Sequence, residues 1–389
     1  MPSTRRDLIL GTSSALGLLG LAKTGFGNSV LNFEGLKNYG PLQSPNNLGL
    51  RLPQGISARL VAESGTNVST VSGRSGYTWH RAPDGGACFP TEDGGWIYTS
   101  NSEVRSDGGA GSLRFDRSGN IIDAYSILEG TRNNCAGGPT PWQTWLSCEE
   151  VDRGMVYECD IYGQKTAISR PALGSFKHEA VAVDPDEGCI YLTEDERDGL
   201  FYKFIPDNIR NGKFDLSSGQ LRAAVVSDDG FVEWRVIPFP NPSSGQAVTR
   251  RQLRNATRFN GGEGIWYHNQ KVYFVTKGDN RVWSYDTAGQ FLSVIYDRRT
   301  SPKPILSGVD NVTVSQSGHV LIAEDGGDMQ IVVLGPTGDI YPLVQVEGQG
   351  FSELAGIAIT PDNKRLYFSS QRGGRRRGGL TYELTGDFQ

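Results

Sequence analysis

The chain alternates between short apolar runs and clusters of turn-forming residues. Gly, Asp, Asn and Pro separate the runs, which are rich in β-branched and aromatic side chains. Examples are residues 96–99, 189–193, 272–276, 320–323 and 366–369. Runs of this length and composition are typical of β-strands, and no helical period is sustained long enough to predict a helix. The pattern therefore predicts an all-β protein.

Six segments share one pattern: an opening residue, a strand, a turn, a second strand and a polar closing cluster. Opening and closing residues lie about 14–15 positions apart. The pairs are Ala87 or Cys88 with Asn101 and Glu103, Cys135 with Glu149, Glu179 with Glu194, Glu263 with Lys277, Asp310 with Glu324, and Gly356 with Gln371. Successive openings are 44–48 residues apart, except for one gap of 84. A strand-rich repeat of about 40–50 residues is typical of β-propellers.

The repeat predicts a six-bladed β-propeller over residues 56–389, which we count as a single domain. The wide gap falls around residues 205–260, where Pro and Ser-Gly stretches predict an inserted loop or small subdomain. Residues 29–55 are expected to form an irregular lead-in to the propeller.

The alternation of strands predicts where the polar residues meet. The first strand of a blade starts at one mouth of the central channel, and the antiparallel second strand returns to that mouth. All opening and closing residues are therefore expected to line one funnel. The funnel would gather Asn101, Glu103, Cys135, Glu149, Glu150, Glu179, Glu194, Asp195, Glu263, Lys277, Asp279, Asp310, Asn311, Glu324, Asp325, Gln371 and Arg372.

So many carboxylates in one funnel indicate bound cations, because like charges repel each other unless cations lie between them. Calcium takes carboxylate and amide oxygens as ligands. A thiolate at Cys135 favours a softer or redox-capable ion such as iron. The alternatives are that the acids are solvated loop residues and that Cys135 is a small buried hydrophobic residue. Recurrence in phase across the blades favours the axial metal site.

Composition narrows the chemistry further. The net charge of −5 leaves no basic surface for nucleic acid. Four His residues are too few for a His-rich zinc site, so a metal site would rest on oxygen ligands. The five Cys residues show no C-x-x-C spacing, and their pairing in an oxidising compartment cannot be deduced from the sequence.

The N-terminus resembles a twin-arginine export signal over residues 1–28. Arg5 and Arg6 precede an apolar stretch, residues 8–21, that Gly and Ser interrupt. The stretch is too weakly apolar for a stable membrane span, and an ordinary lipophilic N-terminus is the alternative. The signal predicts a periplasmic or secreted protein.

Several motifs resemble the PhoX-type alkaline phosphatase family. They are N-N-C-A-G-G-P-T-P-W-Q-T-W-L-S-C-E-E from Asn133, F-K-H-E-A-V-A-V-D-P, Y-L-T-E-D-E and the Glu-Gly of G-G-E-G-I. The resemblance extends from about residue 80 to 372. It implies a six-bladed propeller that hydrolyses small phosphomonoesters with a pair of iron ions and calcium. Carried over by motif, Cys135, Glu179 and Glu263 would bind iron; calcium ligands or shared ligands would come from Glu149, Glu150, Glu194, Asp195, Asp310 and Glu324.

The resemblance also implies that Asn101 meets the substrate phosphate, and one departure concerns the same phosphate. Family members carry an Arg two residues before the glutamate matched to Glu263, whereas this chain has Gly261. Arg258, Lys277 or Arg372 would then have to supply the positive charge. The alternatives are a metal cluster that serves structure or ligand binding without turnover, and a calcium-dependent lactonase or esterase. A monomer is expected.

Overall fold

The computed structural model describes Leu36 and residues 39–389. The export signal predicted for residues 1–28 lies outside the described residues. Within them, strands form six sheets of four or five strands, and the helical elements are three short 3₁₀ turns, Pro171–Leu173, Thr249–Arg251 and Arg375–Arg377. The all-β prediction is confirmed. No helix in this part of the chain combines the length and apolar character needed to cross a bilayer.

The strands are numbered along the chain and grouped into blades. The first four are β1 (Leu50–Arg51), β2 (Ser57–Glu63), β3 (Asn67–Thr70) and β4 (Gly73–Thr78). Blade one has β5 (Pro83–Pro90), β6 (Trp96–Ser102), β7 (Gly108–Phe115) and β8 (Ile121–Thr131). Blade two has β9 (Gly138–Pro139), β10 (Thr144–Cys148), β11 (Val156–Asp160) and β12 (Ile168–Ser169). Blade three has β13 (His178–Asp184), β14 (Cys189–Glu194), β15 (Phe201–Pro206), β18 (Gly219–Val226) and β19 (Val232–Val236), with the hairpin β16 (Ile209–Arg210) and β17 (Lys213–Phe214) between them.

The remaining blades follow the same plan. Blade four has β20 (Gly262–His268), β21 (Lys271–Thr276), β22 (Arg281–Asp286) and β23 (Phe291–Asp297). Blade five has β24 (Val309–Val314), β25 (Val320–Glu324), β26 (Gln330–Leu334) and β27 (Ile340–Val346), and blade six has β28 (Leu354–Ile359), β29 (Arg365–Ser370) and β30 (Leu380–Thr385). Within each blade, neighbouring strands are antiparallel.

The ring of blades is closed by the N-terminal part of the described chain. Strand β2 pairs with β30 and completes blade six, with Ser57 opposite Thr385. Strand β1, inside the predicted lead-in, extends blade five through β27. The wide gap in the repeat is explained by blade three, because β18 and β19 of the expected insertion belong to its own sheet. The six-bladed propeller is confirmed.

The hydrophobic core lies between neighbouring blades. Along β13, Val181 and Val183 pack toward blade two, whereas Ala180 and Ala182 pack toward blade four. Both faces of the strand are therefore buried, which explains its continuous apolar run. Each of the six blade interfaces holds one such cluster. The blades consequently hold each other in place around the axis.

The first strands of neighbouring blades approach each other closely at the axis. The Gly137 N–H donates to the Glu179 carbonyl at 2.9 Å, and the Val181 N–H donates to the Gly137 carbonyl at 3.2 Å. A Cβ on Gly264 would lie 2.6 Å from the backbone nitrogen of Val312. Little space is left along this part of the axis, so the polar side chains gather at the mouth where the first strands begin.

Candidate metal centre

The first strands of five blades begin with the same irregularity, a β-bulge after the first paired residue or, in blade six, after the second. In blade three His178 pairs with Glu194, and the register shifts before Val181. The same shift follows Pro83, Gly262, Val309 and Ala355 in the other blades. A bulge redirects a side chain that regular alternation would place elsewhere. The bulges therefore direct these side chains toward the axis.

The bulges and the equivalent bend of blade two present five buried donors, which we call the inner ring. It consists of Asp84, Cys135, Glu179, Glu263 and Asp310. Blade six contributes Gly356 at this position and so no side chain. The Cys135 sulfur lies 3.7 Å from Asp84 Oδ1, which links blades one and two.

A second set of polar residues follows the second strand of each blade, and we call it the outer ring. It consists of Glu103, Glu150, Asp195, Lys277, Asp325 and Gln371. All except Gln371 are half-buried. The strand register places these residues beside the bulges. In blade four, for example, Thr276 pairs with Gly262, the residue before the bulge, and Lys277 follows Thr276 directly. The structure thus brings both ends of the blade hairpins to one mouth, as the strand alternation predicts.

Residues of the two rings, together with Glu353, form a continuous array of possible metal-ligating atoms. Four groups of three residues have one oxygen or sulfur atom each within 4.8 Å of one another. They are Cys135, Glu150 and Glu179; Glu179, Glu263 and Asp310; Asp310, Asp325 and Glu353; and Asp84, Glu103 and Glu353. Each group shares a residue with the next, through Glu179, Asp310 and Glu353. The ring therefore offers a set of adjacent cation sites rather than one isolated site.

Burial and mutual repulsion disfavour the charged forms of these groups. Burial, with the charges of Glu103 and Asp310, raises the pKa of Asp84 to about 7. Burial, with Asp195 and Glu103, raises the pKa of Glu150 to about 8. The pKa values of Glu179 and of the Cys135 thiol lie well above their ordinary values, chiefly because of burial. Without cations, the site is therefore stable only when it holds protons.

A pH-dependent stability of the metal-free protein follows. Because Asp84 and Glu150 have raised pKa values in the folded state, that state binds more protons than the unfolded chain between about pH 4 and 8. Their stabilising contribution is complete at the lower limit and is lost as pH rises through the folded pKa values. We expect the Tm in chelator to fall across this window in differential scanning calorimetry.

Two comparisons check this pH dependence. The Asp84→Asn variant should show a shallower fall of Tm with pH, because Asn carries no titrating proton. Calcium should stabilise the wild type more as pH rises, since it binds the deprotonated groups. Parallel Tm curves for the wild type and the variant in chelator would contradict the assignment.

The residues of the ring fit a bound cation. Glu179 is 0% exposed, and neither of its carboxylate oxygens has a hydrogen-bond partner. A buried carboxylate without a partner is costly, by several kcal/mol when its charge is uncompensated. Its neighbours Cys135 and Glu263 offer a thiolate and another carboxylate within the groups described above. This donor set combines hard oxygen ligands with one soft sulfur ligand.

Two side chains of the chain itself carry positive charge in the ring. Lys277 Nζ lies 3.0–3.2 Å from Glu263, Asp310 and Asp325. Arg372 bridges Glu103 at 2.9 Å and Glu353 at 3.1 Å. Both predicted cations are therefore at the mouth, and each is paired with ring carboxylates.

Three predicted ligands occupy a different position. Glu149, Glu194 and Glu324 are the first residues of the adjacent acidic pairs, and each accepts a backbone N–H from the residue six positions later. Glu149 and Glu324 also accept an N–H from the preceding loop, from Arg132 and Ser307. These carboxylates brace the loops of their own blades, and no donor group of the ring includes them. Their binding of metal stays a prediction.

Asn101 is fully buried and its amide has a complete set of protein partners. Its nitrogen donates to the carbonyls of Cys135 at 2.6 Å and Ala136 at 3.0 Å. Its oxygen accepts from Trp145 Nε1 and Ser147 Oγ, each at 2.8 Å. This arrangement fixes the backbone that carries Cys135. The predicted contact with phosphate stays a prediction, and the observed contacts favour a positioning role.

Two residues of the donor groups, Asp84 and Glu353, were not found by the sequence repeat. Asp84 opens blade one, where Ala87 or Cys88 was expected, because the distance from Asp84 to Ser102 exceeds the equivalent distance from Glu179 to Glu194 by three residues. Glu353 lies directly before β28, outside the opening and closing positions. The Pro-Asp-Gly-Gly sequence at residues 83–86 is the signal that could have identified Asp84.

Gly261 has a structural reason to be glycine. Its φ is +70°, a left-handed conformation that favours glycine. A Cβ there would lie 3.3 Å from Asp195 Oδ1. Its carbonyl accepts the Lys277 N–H at 2.8 Å. The local backbone therefore favours glycine at this position, directly beside Lys277.

Comparison with known proteins bears on both fold and family. The sequence model described as "Alkaline phosphatase PhoX" matches residues 98–166 and 152–303, more than half of the chain. PhoX from Pseudomonas fluorescens, in complex with the transition-state analogue vanadate, has a TM-score of 0.70 at 18% identity, over 89% of this chain and 97% of that one. A Bacteroides thetaiotaomicron protein of unknown function reaches 0.54 at 11% identity, over 89% and 84%. No curated protein sequence matches the chain.

Proposed function

We propose that this chain, which belongs to the alkaline phosphatase PhoX family, is an exported, metal-dependent phosphomonoesterase. The observation that carries the proposal is the buried carboxylate of Glu179, without a hydrogen-bond partner and grouped with Cys135. A ring of this kind is stable in its charged form only with cations. The export part rests on the twin-arginine motif at Arg5 and Arg6.

In this proposal the ring holds iron and calcium. Cys135, Glu179 and Glu263 would hold the iron pair, because a thiolate favours such an ion over calcium. Oxygen ligands for calcium would come from Asp310 and from the outer ring, with Glu150 and Asp195 taking the place of their neighbours Glu149 and Glu194. The bound cations would supply positive charge for the phosphate oxygens and Lewis acidity toward the ester.

Arg372 is the residue we propose to bind the phosphate. A guanidinium has five N–H donors, and Arg372 makes ion pairs with two carboxylates, so donors remain for a substrate. Its side chain is 37% exposed, which places it at the open end of the site. Lys277 has three donors and three carboxylate neighbours. We therefore assign phosphate recognition to Arg372 in preference to Lys277.

Gly261 favours a second candidate function, a metal ring that binds a ligand or stabilises the fold without turnover. The family arginine is missing there, and Lys277 and Arg372 are both paired with carboxylates. The Cys135 thiol argues against this alternative, because an oxygen-based calcium site has no need of sulfur. A calcium-dependent lactonase or esterase would likewise need no thiolate.

An assay on three substrate classes separates these candidates. The metal-loaded protein is expected to hydrolyse an aryl phosphate and to leave an aryl acetate and a lactone intact. Vanadate should inhibit, and chelation should abolish the activity, with iron and calcium both found by elemental analysis. Hydrolysis of the lactone alone, or binding of calcium with no turnover of any substrate, would overturn the phosphatase proposal.

A further inference from the structure

We infer that the Lys277 ammonium takes the place of one metal ion, so that the position enclosed by Glu263 Oε1, Asp310 Oδ2 and Asp325 Oδ2 holds no divalent cation. The other carboxylate oxygens of Glu263 and Asp310 remain available to the proposed iron and calcium. The inference rests on the proposed metal centre but not on its phosphatase activity. Lys277 stands in the outer ring at the position where four other blades carry Glu103, Glu150, Asp195 and Asp325. Blade four has thus replaced a carboxylate with a cation.

The geometry around Lys277 is that of a filled cation site. Its Nζ lies 3.2 Å from Glu263, 3.0 Å from Asp310 and 3.2 Å from Asp325. These carboxylates come from blades four and five, so the ammonium joins two blades. The ammonium donates a hydrogen bond to Asp325 and forms ion pairs with Glu263 and Asp310, so three carboxylates surround it. A calcium ion would need the same oxygens at about 2.3–2.6 Å, so the two cations exclude each other.

The other carboxylates at the mouth do not all have a cationic side chain beside them. Arg372 lies between Glu103 and Glu353, and Gln371 donates to Asp84 and Glu103. By contrast, Glu179 accepts no hydrogen bond with either oxygen and forms no ion pair within the described part of the chain, whereas Glu263 is paired with Lys277. In the group of Cys135, Glu150 and Glu179, the nearby cation is Lys177, at 3.7 Å from Glu150. Divalent ions are therefore expected around Glu179 and not around Lys277.

The test counts metal ions in the full protein by mass spectrometry after equilibration with excess calcium and removal of free ions. The Lys277→Gln variant should bind about one more calcium ion per chain than the wild type, because it leaves Glu263, Asp310 and Asp325 without a counter-charge. Lys277→Arg, which keeps the charge, should bind the same number as the wild type. Lys271→Gln is the matched control, because Lys271 lies at the exposed start of β21, the strand that precedes Lys277. Its ion count should also equal that of the wild type.

Two outcomes would overturn the inference. One is an unchanged or lower ion count in Lys277→Gln, which would mean that Lys277 moves aside for an ion or serves only the substrate. The other is an anomalous-scattering peak at the position of Lys277 Nζ, enclosed by Glu263, Asp310 and Asp325, in crystals of the metal-loaded wild type. This second measurement does not depend on the folding of any variant. The wild type could prove inactive on phosphate esters while Lys277→Gln still gains the calcium ion. That result would contradict the proposed function but would support the inference about Lys277.

Discussion

The Glu179→Gln variant is expected to lose metal and, with it, roughly 10²–10³-fold of kcat/KM on an aryl phosphate. Glu179 belongs to two donor groups at once, with Cys135 on one side and Asp310 on the other. A single substitution therefore removes an anionic donor from two neighbouring candidate sites. The amide oxygen of Gln preserves shape but carries no charge to hold a cation.

The same variant should be more stable than the wild type once both are metal-free. Burial and the neighbouring Glu263 raise the pKa of Glu179 well above its ordinary value. Its buried oxygens have no hydrogen-bond partner, so the wild type must protonate this group or tolerate an unpaired charge. Calorimetry in metal and in chelator should show the order of the two Tm values reversing. A purely structural role for Glu179 would lower the Tm of the variant in both conditions.

Glu324→Gln is the matched control for this comparison. Glu324 is also a fully buried glutamate at a blade closing position, but it accepts N–H groups from Ser307 at 2.7 Å and Gln330 at 3.0 Å. Replacing it weakens these bonds by about 1–3 kcal/mol in total and should leave the metal content unchanged. Loss of metal from Glu324→Gln as severe as from Glu179→Gln would show that the separation into ring and bracing carboxylates is wrong.

The repeat in the sequence was sufficient to predict the propeller and most of the inner ring. Strand length and hydrophobic pattern determine which mouth a residue occupies, so Cys135, Glu179, Glu263 and Asp310 could be found by their phase. Asp84 could not, because the hairpin of blade one is longer and a fixed spacing leads to the wrong residue. Three extra residues in a hairpin are tolerated at the surface, and nothing in the apolar pattern reveals them.

For the acidic residues that follow the second strands, the sequence predicted their place in the blade but not which way their side chains point. Successive side chains along a strand point to opposite faces, so Glu149 and Glu150 cannot serve the same purpose. Glu149 accepts backbone N–H groups, whereas Glu150 joins Cys135 and Glu179. Which of two adjacent acids faces the axis depends on a register that only the folded backbone defines. The contacts of Asn101 were hidden for the same reason, because its partners lie in the next blade.

Replacing Cys135 with Ser is expected to remove iron while calcium stays bound. Cys135 supplies the sulfur atom of the inner ring and is a proposed iron ligand. A serine hydroxyl does not supply an anionic ligand at neutral pH. Burial, with Asp84 and Glu179, raises the pKa of its thiol well above the ordinary value, so the thiolate needs a cation to form. We expect elemental analysis to show iron lost and calcium retained, with activity on an aryl phosphate reduced roughly 10²-fold or more.

Cys159→Ser separates this effect from the general cost of replacing a buried thiol. Cys159 lies in the same blade and is also unpaired, but it packs with Trp145 and Ile161 in the hydrophobic cluster between blades one and two. That variant should lose stability and keep both its iron and its activity. Iron retained by Cys135→Ser would mean that carboxylates alone hold the ion. Since a lactonase-type calcium site needs no sulfur, unchanged activity in Cys135→Ser would favour that chemistry over phosphate hydrolysis.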